Sequence, residues 1–525
     1  MVYLKFGITG IQDFIFNVTS KGAAKSLRSR SFFVEACTNW AQERILKVFP
    51  KAEEIYNGGG NFILTLHESD FAEEVFFKSL EDIKNELLQY NLIPVYSYHV
   101  SGDGQDFGAI LKELNFKTAK SKYSPNRDIS FYLPKKDEIK MRLEMITDFN
   151  QDLINAKSFS INHSDSKQLL DRFTFYPNNE GKHKIVQNIP KWDDWLLKQN
   201  IDIINELRQN DTEIEIPKYG ESVSFQFLAE FAKRRTGTSK IGVLKLDVDN
   251  FGLILGNIKK LNDYKNLSKK VTEFFEIEVI NLMNQKYSYD EITKKGERGK
   301  KNDILQKSEN INENIYTVFL GGDDCFIIGS WDVLLDFIDK LKERFDLFSL
   351  ELLNELDFLQ TKLTFSASYI IIDSHFPVIK FADIAEEELF KAKNQYSDRK
   401  NTFSLFNEVL PFEDFKEVLE LKNKFQSMIL EEGTEKGIIQ KFVNLFTKSD
   451  NMYWQKFGKP FNPAIIWRFI FILRDIMHKS DYKNLFLNQN GIHEKYVKNS
   501  FKNKDMKHRY IQIGARITEF LTKSK

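Results

Sequence analysis

Two cysteines, Cys37 and Cys325, are all that 525 residues contain. That scarcity excludes a disulfide framework and a cysteine-ligated zinc module, and it suits a reducing cytoplasm. Charge of either sign is not in excess: 75 basic residues face 75 acidic ones. No global field therefore draws nucleic acid, and any such surface must be a local patch. No apolar run approaches the roughly 20 residues needed to span a bilayer. The nearest, PAIIWRFIFILRDI from Pro463, is broken by Arg468 and Arg474. The N-terminal MVYLKFGITG lacks the basic region and cleavage site of a signal peptide. These absences predict a cytoplasmic protein with no membrane partner. The eight histidines are scattered, none is followed by Asp, and no Ser, His or Cys arrangement suggests nucleophilic catalysis.

What is present is a repeated order of elements. Residues 2–9 (VYLKFGIT) are β-branched and aromatic, as in a buried strand. Helical character follows over 31–49. The glycine turn in NGGGNFILTL joins two strand-like runs, and Phe71, Val75, Leu80, Ile83 and Leu87 give 71–90 one apolar helical face. IPVYSYHVSG closes a β-α-β-β-α-β unit. The order recurs as a strand at 241–247, a helix at 268–284, the strand-turn-strand IYTVFLGGDDCFIIGS, a helix at 332–347 and a strand at 363–372. Gly58-Gly59-Gly60-Asn61 superposes on Gly321-Gly322-Asp323-Asp324, and GITGIQDF from Gly7 on DVDNFGLI from Asp247. The second unit is longer by about one polar stretch, YSYDEITKKGERGKKNDILQKSEN from Tyr287, which reads as a mobile insertion.

The fold class expected is α+β. Two ferredoxin-like (βαββαβ) units occupy 1–105 and 221–410, with a linker domain at 106–220 and an all-α domain at 411–525. Within the linker, helices are expected at 136–155 and 191–208.

The chemistry concentrates in the second unit. Asp247 ends one strand, and Asp323 and Asp324 sit in a hairpin turn. Neighbouring strands lie about 4.8 Å apart, so the three carboxylates can converge on divalent ions. Clustered hard oxygen donors suit Mg²⁺ or Mn²⁺, which complete their shell with substrate phosphates. Gly321 and Gly322 suit a tight turn with close backbone approach. Asp249 and Asn250 read either as contacts to base or ribose or as a strand-end cap. Lys25, Arg28 and Arg30 lie either near phosphates or on a solvated helix start, and KNSFKNKDMKHRY from Lys498 is a better basic patch. Trp454 and Trp467 read as helix-packing core.

LKLDVDNFG together with FLGGDDCFIIG resembles the Palm domains of the large polymerase-like subunit of type III CRISPR effector complexes. It is more distantly similar to GGDEF diguanylate cyclases. GITGIQDFIF, KGAAKSLRSRSFFVEA and GGGNFILTL resemble that subunit's first, degenerate Palm. DRKNTFSLF from Asp398 resembles its Lys-Asn segment after the last Palm strand. The resemblance implies a nucleotidyltransferase that joins ATP through 3′–5′ linkages into cyclic oligoadenylate. It implies guide RNA, target RNA and further subunits as partners. By position, Asp247, Asp323 and Asp324 would be catalytic and hold the metal, with the Val248 carbonyl contributing. Gly321, Gly322, Asp249, Asn250, Ser366, Lys400, Asn401, Gly58 and Gly59 would meet nucleotide. Two departures follow: without a His-Asp dipeptide no DNase activity of the HD type is expected, and the linker must fold without zinc. Alternatives are a cyclase or AMP-transferase using GTP or another acceptor, and a catalytically silent scaffold.

Overall fold

In the computed structural model of the chain, the first strand, β1 (Val2–Thr9), is central to a four-stranded sheet with β2 (Glu53–Gly58), β3 (Asn61–Leu66) and β4 (Ile93–Val100). The sheet order is β2-β3-β1-β4, antiparallel throughout. The structure describes residues 1–19, 22–102, 105–123, 136–164, 168–210, 216–294, 302–396, 400–431, 436–445, 464–474, 480–489, 491–499 and 507–523. Val2, Leu4, Phe6 and Ile8 alternate on the buried face of β1, the period that a pleated strand imposes. The helices Ala23–Val48 and Glu73–Leu88 pack on that sheet through Phe33, Cys37, Trp40, Leu80, Ile83 and Leu87. The first begins eight residues before the expected 31, at Gly22, whose φ of 72° supplies the left-handed entry. Arg28 and Arg30 therefore fall inside the helix and are buried, facing neither phosphate nor bulk solvent. Arg28 Nε donates to Gln187 Oε1 at 2.9 Å, and Arg30 Nη1 to the Phe14 and Asn17 carbonyls.

A small sheet of β5 (Ser158–Ile161), β6 (Phe173–Tyr176) and β7 (His183–Lys184) follows, in the order β6-β5-β7. The helix Lys136–Asn155 lies where periodicity placed it, whereas 191–208 is two helices, Asp194–Gln199 and Ile201–Asn210, parted at Asn200. The helix Phe107–Tyr123, outside the expected first unit, packs on its sheet: Ser97 Oγ donates to the Leu114 carbonyl and Lys5 Nζ to Asn115 Oδ1.

The second sheet holds six strands. They are β8 (Ile241–Val248), β11 (Ile315–Gly321), β12 (Asp324–Ser330), β13 (Phe365–Ile372), β14 (Thr402–Leu405) and β15 (Glu408–Pro411), ordered β11-β12-β8-β13-β14-β15. The molecule is thus a mixed α+β protein. The insertion expected to be mobile instead pairs, over its described residues, as two antiparallel strands, β9 (Lys286–Lys294) with β10 (Asp303–Asn310). Its root is fastened. Glu309 accepts from Arg234 and from the fully buried Arg235, which also clasps both oxygens of Asp332, while Tyr287 is buried beneath. After residue 411 the described elements are helical, including Phe412–Leu430, Ala464–Arg474 and Arg509–Leu521. Trp467 is exposed there, because Ile465, Phe469, Ile472 and Leu473 take the inward face. Trp454 and residues 500–506 of the basic patch lie outside the described residues.

Glu43 fastens the small sheet to the helix Ala23–Val48. Its carboxylate accepts from His163 Nε2 at 2.6 Å and His183 Nε2 at 2.8 Å, and it also pairs with Lys182. Burial alone would raise its pKa, but the bonds from His183, Lys182 and His163 outweigh burial and hold it at about 2, below the ordinary 4.5. A depressed carboxylate stabilises the fold above its unfolded pKa and ceases to as pH falls through the folded value. Wild type should therefore lose more urea resistance than Glu43→Gln between pH 5 and about pH 2; equal losses would remove Glu43 from this tie.

Candidate functional site

The site is set by strand register. β8 is flanked by β12 and β13, which places Asp247 opposite Asp324 on one side and Ser366 on the other. The β11–β12 turn closes with Gly321 opposite Asp324, and the Asp323 carbonyl accepts from Val248 N at 2.8 Å. The first sheet repeats each of these pairings: Gly7 lies opposite Asn61, Gly58 opposite Asn61, and the Gly60 carbonyl accepts from Ile8 N at 3.0 Å. Gly7, Gly60 and Asn61 thus hold the places of Asp247, Asp323 and Asp324. A Cβ on Gly7 would come within 2.3 Å of Asn61 Oδ1, so a side chain there would displace the Asn61 amide from its present place.

The two glycine turns face each other. A Cβ on Gly321 would lie 3.6 Å from Gly59 Cα. A cavity of about 620 Å³ opens beside them, lined by Gly58, Gly59, Gly60, Gly321, Gly322 and Asp324. Tyr56, on β2, is a contact the sequence reading missed. Its hydroxyl would be 2.9 Å from a Cβ on Gly58 and 2.7 Å from one on Gly322. Both glycines are bare where this phenol lodges between the turns. Burial raises the Tyr56 pKa, and the charges of Asp323 and Asp324 raise it further, so the hydroxyl keeps its proton.

Burial pushes Asp323 up to about 6, with the Asp247 charge adding to it, and Asp324 up to about 7, with the Asp323 charge adding to it. Asp247 is raised by burial against the opposing pull of Lys393. Lys393, on the helix Val378–Asn394, donates to Asp247 Oδ1, and the buried Lys245 pairs with Glu386 on the same helix. Neither lysine partner was read from the sequence. Lys245 had a signal, a cation two residues from Asp247 in an otherwise apolar strand, whereas Lys393 had none. Among the described residues no group of three or more His, Cys, Asp or Glu is gathered as a metal cluster. The donor chemistry nevertheless fits a divalent cation: crowded carboxyls that repel one another are relieved by positive charge, and Lys393 already places one there. Val248 is buried and could offer such an ion only its carbonyl.

Other expected contacts are placed differently. Asp249 is buried and saturated: it accepts from Ser366 Oγ at 2.7 Å, Thr364 Oγ1 at 2.8 Å and Asn401 N at 2.9 Å. Asp249 and the fully buried Ser366 thus tie the end of β8 to β13 and β14, the strand-end role that the sequence offered as one of two readings of Asp249. Asn250 is exposed, with φ 55°, and starts the helix Phe251–Gly256. Lys400 Nζ donates to the Lys393 carbonyl at 2.9 Å, which sets it behind the Asp247 ion pair. Asn401 has φ 65° and a buried Oδ1 that has no hydrogen-bond partner among the described residues. Asp398 lies outside the described residues.

An aspartate whose folded pKa is raised destabilises the fold as pH climbs from its unfolded toward its folded value. In metal-free buffer at pH 8, Asp324→Asn should therefore be more stable than wild type by at least about 1 kcal/mol, the worth of one pKa unit. The gain should vanish near pH 4. A loss of stability at pH 8 in denaturant titration would contradict the repulsion described. For Tyr56, removing the hydroxyl should partly rescue Gly322→Ala: the double variant with Tyr56→Phe should lose less stability than the two single losses added. Strict additivity would mean that the phenol does not occupy the turn.

Residues 240–404 match the second palm domain of Cas10/Cmr2, and residues 1–97 match domain B of the Csm1 subunit. The chain is 25% identical over 502 residues to the CRISPR system single-strand-specific deoxyribonuclease Cas10/Csm1 (subtype III-A) of Methanocaldococcus jannaschii. That alignment covers 76% of this chain and 58% of the relative, so the chain spans less than two thirds of that protein. Among solved structures it is similar to a Csm1–Csm4 cassette in complex with one ATP, with TM-score 0.66, 18% identity, and 99% of this chain and 70% of that one covered. It is likewise similar to a Csm1–Csm4 cassette in complex with cA4, with TM-score 0.64, 17% identity, and 99% and 69% covered. Two models fall on the two sheets that carry the facing glycine turns, and the chain belongs to the Cas10/Csm1 family of type III CRISPR systems.

Proposed function

We propose that the chain is the nucleotidyl cyclase subunit of a type III CRISPR effector complex, converting ATP into cyclic oligoadenylate when target RNA pairs with guide RNA. The observation that carries this reading is one cavity shared by two facing turns, of which only the second bears the carboxylates. The repeated register supports reading the two sheets as ferredoxin-like Palm units, within the domain limits 1–105 and 221–410. Similarity to cassettes solved with ATP and with cA4 supports the substrate and product class. The Csm4 in those cassettes supports a related subunit as a direct partner.

In this reading the second turn takes the donor triphosphate and the first turn the acceptor. Mg²⁺ or Mn²⁺ held by Asp247, Asp323, Asp324 and the Val248 carbonyl would supply charge neutralisation at the phosphates and activation of the attacking hydroxyl. The chain's own residues position and enclose. Gly321 and Gly322 let backbone N–H groups approach phosphate, and Gly58 and Gly59 leave the acceptor side open. Lys393 holds Asp247 as an ion pair, the cationic partner that a bound ion would replace. Holding the acceptor 3′-hydroxyl beside the donor α-phosphate can contribute about 7–11 kcal/mol. The deoxyribonuclease activity named for the longer relative would need residues other than these.

The test is the mass spectrum of products formed from ATP and Mn²⁺ by the assembled complex with target RNA. Cyclic oligoadenylates are expected from wild type and none from Asp323→Asn with Asp324→Asn. Full activity in that double variant would sink the catalytic assignment, and absence of any nucleotide product from wild type would favour a scaffold. Gly59→Trp should suppress product while ATP still binds. A folded, fully active Gly59→Trp would overturn the division between donor and acceptor turns.

A further inference from the structure

The cavity wall beside the first turn carries a relay of amides whose direction is fixed from outside. Asn57, the residue before Gly58, and Asn39, on the helix Ala23–Val48, both line the cavity. Asn57 Nδ2 donates to Asn39 Oδ1 at 2.7 Å and to Gln42 Oε1 at 2.9 Å. Gln42 Nε2 donates in turn to Glu54 Oε2 at 2.9 Å. The two ends of an amide are nearly alike in shape, so its direction is set by what it bonds. Here the chain of partners ends on a carboxylate, which only accepts. Glu54 therefore takes the Gln42 amino group, and Gln42 turns its oxygen to Asn57. Asn57 must then give both its protons, one to Gln42 and one to Asn39. Left over are an acceptor, Asn57 Oδ1, and a donor, Asn39 Nδ2. Among the described residues neither has a hydrogen-bond partner, and neither is sealed from solvent. Asn39 is only 8% exposed, and what it leaves open borders the cavity. Phosphate oxygens only accept and would meet Asn57 Oδ1 with like polarity. A donor beside an acceptor suits the edge of a nucleobase instead.

We propose that Asn39 and Asn57 read the base of the nucleotide at the first turn, and that Glu54 is the positioning residue that fixes the polarity of this pair and so selects adenine. The proposal deepens the cyclase reading and rests on it. Adenine presents its N6 amino donor between two acceptors, N1 and N7. Either edge therefore complements Asn57 Oδ1 and Asn39 Nδ2. Guanine and hypoxanthine carry an acceptor, O6, in place of the amino group, and a donor at N1. Held in the same way, they would set O6 against Asn57 Oδ1 and N1–H against Asn39 Nδ2. Leaving enclosed polar groups unmatched costs more than a lost contact, and a site built on hydrogen bonds rejects the mismatched analogue for that reason. Glu54 is exposed, lies outside the cavity lining, and acts only through Gln42, which is buried.

The experiment is equilibrium dialysis of radiolabelled ATP and inosine triphosphate against the full chain in EDTA, where the carboxylate turn has no ion to hold a triphosphate. Inosine reverses the edge in question without adding the N2 amino group of guanine. Wild type should bind ATP at least about tenfold more tightly, the worth of one bidentate base contact. In Glu54→Gln the last partner can donate as well as accept, so the whole relay can reverse. Asn57 then offers a donor and Asn39 an acceptor, and the preference for ATP should fall toward parity. Asn39→Ala should also narrow the preference, by weakening ATP. A merely structural Glu54 would change denaturant resistance and leave the ratio of the two affinities where it was. If folded Glu54→Gln keeps the wild-type ratio, or wild type binds both nucleotides alike, the base reader is wrong while the cyclase reading stands on its products. If wild type binds neither nucleotide yet the assembled complex makes cyclic oligoadenylate, the reader alone falls. If neither binding nor product is found, both fall together.

Discussion

The pairing of β8 with β12 is the constraint on which the rest depends. It sets Asp247 opposite Asp324 and, through the turn, holds Asp323 beside both. A slip of one residue would turn every side chain of β8 to the other face, driving Lys245 and Asp247 into the larger core that Leu244 and Leu246 fill and leaving the carboxylate site without Asp247. Hydrophobic burial of the strand therefore enforces a placement of like charges that electrostatics alone resists. Burial first, and this repulsion second, raise the pKa values of Asp323 and Asp324. The tie of Asp249 to Ser366, Thr364 and Asn401 then keeps the end of β8 from relaxing away.

A second constraint joins the two sheets. Tyr56 fills the space that side chains at Gly58 and Gly322 would take, so the turns approach as bare backbone. Away from the turns, Tyr316 Oη donates to the Ala24 carbonyl at 2.5 Å, and the rings of Phe16 and Phe326 meet at 4.6 Å. The linker adds a third wall: Asn188 exchanges backbone and side-chain hydrogen bonds with Thr317 on the outer edge of β11, which holds 182–187 against the cavity. The opening between the turns is thus fixed by packing on three sides.

Much of this was legible because strands and glycine turns leave local signatures. The alignment of Gly58–Asn61 with Gly321–Asp324, made from residue types alone, is reproduced by backbone pairing. The carboxylates of the second turn were readable for the same reason. What was not legible is long-range. Lys393 reaches Asp247 across 146 positions, and Tyr56 meets Gly322 from another sheet. No periodicity encodes either contact. Asp249 offered two readings, a nucleotide contact or a strand-end cap, and its three hydrogen bonds to Ser366, Thr364 and Asn401 come from residues more than 100 positions away that no local pattern announces. The polar composition of the stretch from Tyr287 reads as a mobile insertion, yet β9 and β10 within it pair over eight rungs of register. The anchor formed by Arg235, Glu309 and Asp332 shows that one buried ion cluster can order such a stretch.

The asymmetry between the two turns follows from the same electrostatics. Two carboxylate turns this close would bring two sets of three like charges together, with repulsion growing as each is added. Replacing Asp by Gly at 7 and 60 and by Asn at 61 keeps the turn geometry while removing that charge from one side. The Asn61 amide folds back onto the Gly59 carbonyl at 3.0 Å, so the degenerate turn satisfies itself internally. A turn without carboxylates needs no counter-charge, whereas its counterpart's crowded carboxyls already draw Lys393 to Asp247. Duplication of one unit followed by loss of charge in one copy is therefore a physical route to two unlike binding surfaces facing each other across a single cavity.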